Sequence, residues 1–141
     1  MKLNNKTLTK LAELLNQTGP EQRIAVYYGV AMVIATYIKD SGYNGNLTLK
    51  IKTTVNTICE LAIVDRTLLT NITNNLFNLF NQNGADRDTV HLEAKTFEEV
   101  LLLDKYIGTG NLDIVNKNFN LFKSARTLTK IVLKEYILNE G

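Results

Sequence analysis

Tryptophan is absent from the 141 residues, and cysteine, histidine and proline occur once each, as Cys59, His91 and Pro20. A single cysteine excludes an intramolecular disulfide framework and a cysteine-based zinc finger. A single histidine leaves little for a histidine-based metal site. Eight glycines and one proline, with no tract rich in either, exclude a collagen-like or linker-like chain. Long apolar runs are missing too. The longest, Ile24–Ile38, covers fifteen residues and includes Tyr27, Tyr28, Thr36 and Tyr37. A spanning helix needs ~20 residues, so this run reads as a buried helix and no membrane partner is expected. The amino-terminal MKLNNKTLTK lacks the apolar core of a signal peptide. With a lone thiol besides, the expected compartment is the cytoplasm.

Charge of one sign is also not in excess. Sixteen basic residues against fourteen acidic ones leave a formal charge of +2. That sum neither requires nor excludes an acidic partner, so the placement of the charges matters more. Hydrophobic residues at 45% and charged residues at 21% suffice for one folded core, and the length suits one domain over 1–141.

Periodicity predicts a mainly α fold, a single compact helical domain of about five to six helices. Leu8, Leu11, Leu14 and Leu15 recur at helical spacing over Lys6–Asn16, which Gly19-Pro20 ends. Pro20 then opens a second helix to about Asp40, with Glu21 near its positive end. That helix is apolar nearly all round, as expected of a central element, and Ala25, Gly29, Ala31 and Ala35 allow neighbours to come close. After the turn Ser41–Asn46, Leu47–Lys52 alternates apolar and polar residues as a strand does. Thr53–Ala62 reads as helix, and Asp65 as the N-cap of another over Arg66–Asn81. Thr89–Glu93 reads as a second short strand, leaving a place for a small two-stranded β element. Thr96 with Glu99 fits a capping box for a helix ending at Ile107. Gly108-Thr-Gly110 is its stop, and a final helix runs from about Asn120 to Leu138.

The usual catalytic sets are missing. Nucleophilic catalysis needs a base beside Ser or Cys, and only Ser41, Ser124, Cys59 and His91 are at hand. Cys59 falls on the apolar side of its helix, where free cysteine behaves as a small hydrophobe. Asp86 and Asp88 begin a calcium-like loop, but His91 stands where that pattern needs glycine and Phe97 where it needs glutamate. Gly108-Thr-Gly110 lacks the lysine of a phosphate-binding loop. The chain is therefore expected to be non-enzymatic, with no cofactor.

Thr54–Leu76 is the most informative stretch. Ile58, Ala62, Val64, Leu69 and Ile72 fall where two helices packed across a turn bury apolar residues, with small Cys59 at a close-packed site. The segment resembles the helix-turn-helix pattern, and with strands on either side the order is similar to a winged-helix domain. Ile63 stands where many such motifs carry glycine. The resemblance implies a small DNA-binding regulator whose reading helix exposes Arg66, Thr67, Thr70, Asn71, Asn74 and Asn78. Asparagine can bond adenine at two positions and threonine can touch thymine methyls. That face is nearly uncharged, whereas phosphate attraction supplies much DNA affinity.

A second feature lies near the carboxyl end. Lys123, Arg126, Lys130 and Lys134 recur at helical spacing, with Lys117 upstream and Leu121, Ala125, Leu128, Val132 and Tyr136 on the other side. The basic stripe is expected to face outward. The segment before it is acidic, with Asp86, Asp88, Glu93, Glu98, Glu99 and Asp104. Two function classes follow: a DNA-binding regulator, and a protein-binding module such as an inhibitor or assembly adaptor. The abundance of large apolar residues adds an expectation of self-association as a homodimer.

Overall fold

The computed structural model describes residues 5–17, 19–82 and 109–140, and these form six helices and no strand. In chain order they are α1 (Asn5–Leu15), α2 (Pro20–Asp40), α3 (Leu47–Ile58), α4 (Arg66–Gln82), α5 (Thr109–Lys117) and α6 (Phe119–Glu140). The expected mainly α class is the observed one. None of these helices is long and apolar enough to cross a membrane.

The central helix is the one expected. Pro20 occupies its first turn, where a missing N–H costs nothing, and Glu21 sits beside the positive end. At the other end the Ser41 hydroxyl donates to the Ile38 carbonyl at 2.7 Å. Gly42 follows at φ +68°, the left-handed conformation that closes many helices. Between these ends every residue from Gly29 to Ala35 is buried, because α2 packs against each of the other five helices. The most extensive of these contacts are with α6 and α4. One contiguous apolar cluster draws on all six helices, including Leu8, Leu11 and Leu15 of α1, Ile51 and Val55 of α3, Leu69 and Leu76 of α4, Val115 of α5 and Phe122 of α6.

At Gly29 the crossing of α2 and α6 is a close approach of backbones. A Cβ placed on Gly29 would stand 2.7 Å from the Phe122 carbonyl oxygen and 3.0 Å from the Ala125 Cβ. Hydrogen at position 29 and methyl at position 125 let the two backbones meet.

Three sequence expectations need correction. Leu47–Lys52 is the first half of α3, not a strand. Asn46 caps it, its side-chain oxygen accepting from the Leu49 N–H at 3.0 Å, and burial then follows Ile51, Thr54, Val55 and Ile58 at helical spacing. Six alternating residues fit both periods, and the cap decides for the helix. That helix starts six residues before Thr53 and ends four before Ala62, so the small two-stranded β element loses one partner; the other, Thr89–Glu93, lies outside the described residues. So do the capping box at Thr96, the helix ending at Ile107, and Asp86, Asp88 and His91. Finally, Thr109 and Gly110 open α5 instead of forming part of a stop, with Val115 buried against the core.

The Gly29 contact makes a signed prediction. Gly29→Ala on an open helix face would stabilise by ~1 kcal/mol. Here it should destabilise by ~1–3 kcal/mol through overpacking against backbone, read as a lower urea midpoint with an unchanged slope.

Candidate partner-binding surface

The segment that resembles a helix-turn-helix is a pair of consecutive helices, α3 and α4, joined by residues 59–65. The motif's turn has 3–4 residues; this one has seven and follows a different route. No non-glycine residue among those described has a positive φ, so Ile63 does not adopt the left-handed conformation for which such motifs use glycine.

Side chains from α2 and α4, and Asn16 after α1, hold this turn. The Cys59 carbonyl accepts from the Ala62 N–H at 3.0 Å and from Arg66 Nη2 at 3.0 Å. The Ile63 N–H donates to Asn16 Oδ1 at 3.0 Å, just beyond α1. The Asp65 N–H donates to the hydroxyl of buried Tyr27 at 3.1 Å. Asp65 then caps α4 as expected, accepting from the Leu68 N–H at 2.9 Å. Groups that lack helical partners are thus bonded to the rest of the fold.

α4 turns Leu69, Thr73, Leu76 and Phe77 into the core. Thr67, Asn71 and Asn78 are exposed, while Arg66, Thr70 and Asn74 are half-buried. Leu68, in the first turn, is exposed. Four of the expected residues, Arg66, Thr67, Thr70 and Asn71, line one cleft of about 220 Å³ together with Lys52 and Asn56 of α3. The periodicity of the sequence hides those last two, since it reads Lys52 as strand and splits it from Asn56 in the helix that follows. Asn46 as a cap, followed by Leu47, Ile51 and Ile58 at helical spacing, was the signal that could have found them. Within the cleft Arg66 is already engaged. Besides the Cys59 carbonyl, it donates from Nη1 to Asn56 Oδ1 at 3.4 Å, so its guanidinium works as a clasp between the helices.

The carboxyl-terminal stripe needs a larger correction. Arg126 does not face outward; it is only 7% exposed. The inner face of α6 carries Phe122, Ala125, Thr129, Val132 and Leu133, which puts position 126 at its edge. The arginine stem packs there, and the guanidinium carbon lies 5.4 Å from the centre of the Phe122 ring. Lys123 and Lys134 are exposed, and Lys130 is half-buried. Lys123 Nζ sits 5.5 Å from the centre of the Phe119 ring. Expected residues on α4 and α6 are not brought together: both helices pack on α2, with little contact between them.

Reactive groups do not converge. Among the described residues no three of His, Cys, Asp and Glu gather as metal ligands would. Cys59 is fully buried. Desolvation pushes its thiol from the ordinary 9.0 up to about 12, against a smaller lowering by the Arg66 charge. Compared with protein families, curated proteins and solved structures, the chain matches none of them.

The thiol supplies a check on this packing. Native protein at pH 8 should leave Cys59 unlabelled by a disulfide reagent, while denatured protein should react fully, since only exposed thiolate attacks. The folded thiol stays protonated up to about pH 12 and the unfolded one ionises near 9. Its contribution to stability should therefore be complete below pH 9 and decline above it. Comparing urea midpoints of wild type and Cys59→Ala across that range isolates the effect.

Proposed function

We propose that the chain is a non-enzymatic, cytoplasmic protein-binding module, an inhibitor or assembly adaptor, which meets its partner through the Asn/Thr face of α4. The direction of the cations carries this reading. Arg66 is turned onto the Cys59 carbonyl and Asn56, and Arg126 packs against Phe122. Besides the engaged Arg66, what α4 offers to the cleft is amide and hydroxyl, with Lys52 across it. Such a surface suits hydrogen bonding to a protein, whose interfaces mix polar contacts with apolar ones. It gives little hold on a phosphate backbone, which is gripped by several cations at once.

A second reading, a DNA-binding regulator, draws on outward Thr67, Asn71 and Asn78 and on exposed Lys123 and Lys134. Its fingerprints are distinct. Lys130→Glu with Lys134→Glu would weaken binding to all duplexes and flatten the salt dependence by ~0.9 per lost phosphate contact. Asn71→Ala with Asn74→Ala would instead relax preference among sequences, by ~1–3 kcal/mol at the bases read.

Two measurements decide between them. In a gel-shift with random duplex DNA at low salt and micromolar protein, the protein-binding reading expects no shift. A shift lost in the Lys130→Glu, Lys134→Glu variant would overturn it in favour of DNA. In affinity capture, wild type should hold a specific protein that a Thr67→Arg, Asn71→Arg variant of unchanged helicity releases. Equal retention by both would reject the α4 face as the contact.

A further inference from the structure

The exposed apolar residues are not spread evenly. Leu61 and Ile63 lie in the 59–65 turn and Leu68 in the first turn of α4, and all three are exposed. Ile63 is the extreme case at 91%. Its backbone is held, since the Ile63 N–H is bonded to Asn16, so the isoleucine is presented outward from a fixed turn. Two residues on, Asp65 begins the wall of a separate cleft of about 260 Å³, lined by Pro20, Arg23, Ile24, Tyr27, Asp65 and Leu68. One end of the molecule therefore carries a protruding aliphatic side chain beside an apolar hollow. The rim of that hollow carries one cation, Arg23, and one anion, Asp65, both exposed.

Two-fold association requires one patch to be complementary to itself: what protrudes must fit what is hollow, and each charge must meet its opposite. This patch has both pairs side by side. We infer that two copies of the chain pair about a two-fold axis at this end, Ile63 of each entering the Pro20–Ile24–Leu68 hollow of the other, with Arg23 of each facing Asp65 of the other. Tyr27 forms the floor, its hydroxyl already occupied by the Asp65 N–H, so the hollow presents mainly hydrocarbon to the incoming side chain. The occupant is a second copy because a rim of one cation and one anion matches its own inverse, whereas an acidic or basic partner would meet one like charge. The Asn/Thr cleft is lined by Lys52, Asn56, Arg66, Thr67, Thr70 and Asn71, none of them in this hollow. Pairing leaves it open, and the inference stands apart from the function proposed above.

Sedimentation equilibrium at micromolar concentration should find particles of two 15.9 kDa chains. Ile63→Asp should raise the dimer dissociation constant ~100-fold, since the contact is lost twice, with unchanged helicity by circular dichroism because the residue is exposed. Arg23→Glu should also give monomers, and so should Asp65→Lys. Mixing these last two variants should restore a heterodimer, as both cross-axis pairs are then of opposite charge. Leu49→Asp, at an exposed apolar position at the far end of α3, should leave the dimer intact. A strictly monomeric wild type overturns the inference. So does a dimer indifferent to Ile63→Asp and Arg23→Glu, one equally broken by Leu49→Asp, or a mixture that stays monomeric.

Discussion

The backbone contact between α2 and α6 at Gly29 is the constraint on which the rest of the structure depends. With the Phe122 carbonyl and the Ala125 methyl this close to position 29, α6 can lie on α2 at one place and one rotation. That rotation turns Phe122, Ala125, Thr129 and Val132 inward and carries Arg126 to the edge of the buried face. Because α2 touches every other helix described, its position against α6 propagates to all of them.

The turn between α3 and α4 is the second organising feature. Its hydrogen bonds do not come from a glycine conformation. They come from Asn16 after α1, Tyr27 in α2 and Arg66 in α4. A seven-residue connection can then be held without left-handed residues, and it leaves the hydrocarbon of Leu61 and Ile63 in water. Exposing an isoleucine that burial would stabilise by roughly 1.5–3 kcal/mol is the opposite of what folding alone would select. That is why this end of the molecule, and not the amide-lined cleft, carries the self-pairing proposal.

For function, the fate of the arginines matters more than the net charge. Both arginines expected at partner-binding positions serve the fold: Arg66 ties α4 to the end of α3, and Arg126 lies against Phe122. Across the cleft from the Asn/Thr face of α4, the cation that remains outward is Lys52. A surface of amides and hydroxyls with a single lysine gains its affinity from geometry and hydrogen-bond matching, not from counterion release. This underlies the preference for a protein partner.

The sequence by itself determined whatever depends on local chemistry. The all-round apolar pattern of Ile24–Ile38 made α2 central, Pro20 opened it, the glycine at 29 marked its close neighbour, and Asp65 capped α4. Burial of Cys59 was also legible, because it shares a helical face with Val55 and Ile58. Tertiary structure decided the rest. Whether six alternating residues at 47–52 form strand or helix turns on a cap and on what Ile51 and Val55 pack against. Which side of an amphipathic helix is innermost depends on the helix it crosses, and a rotation of one residue step put Arg126 inside. The cleft joining Lys52 and Asn56 to Arg66 and Asn71 exists only once α3 and α4 have packed. Periodicity fixes which residues share a face, but the neighbouring backbone fixes where that face points.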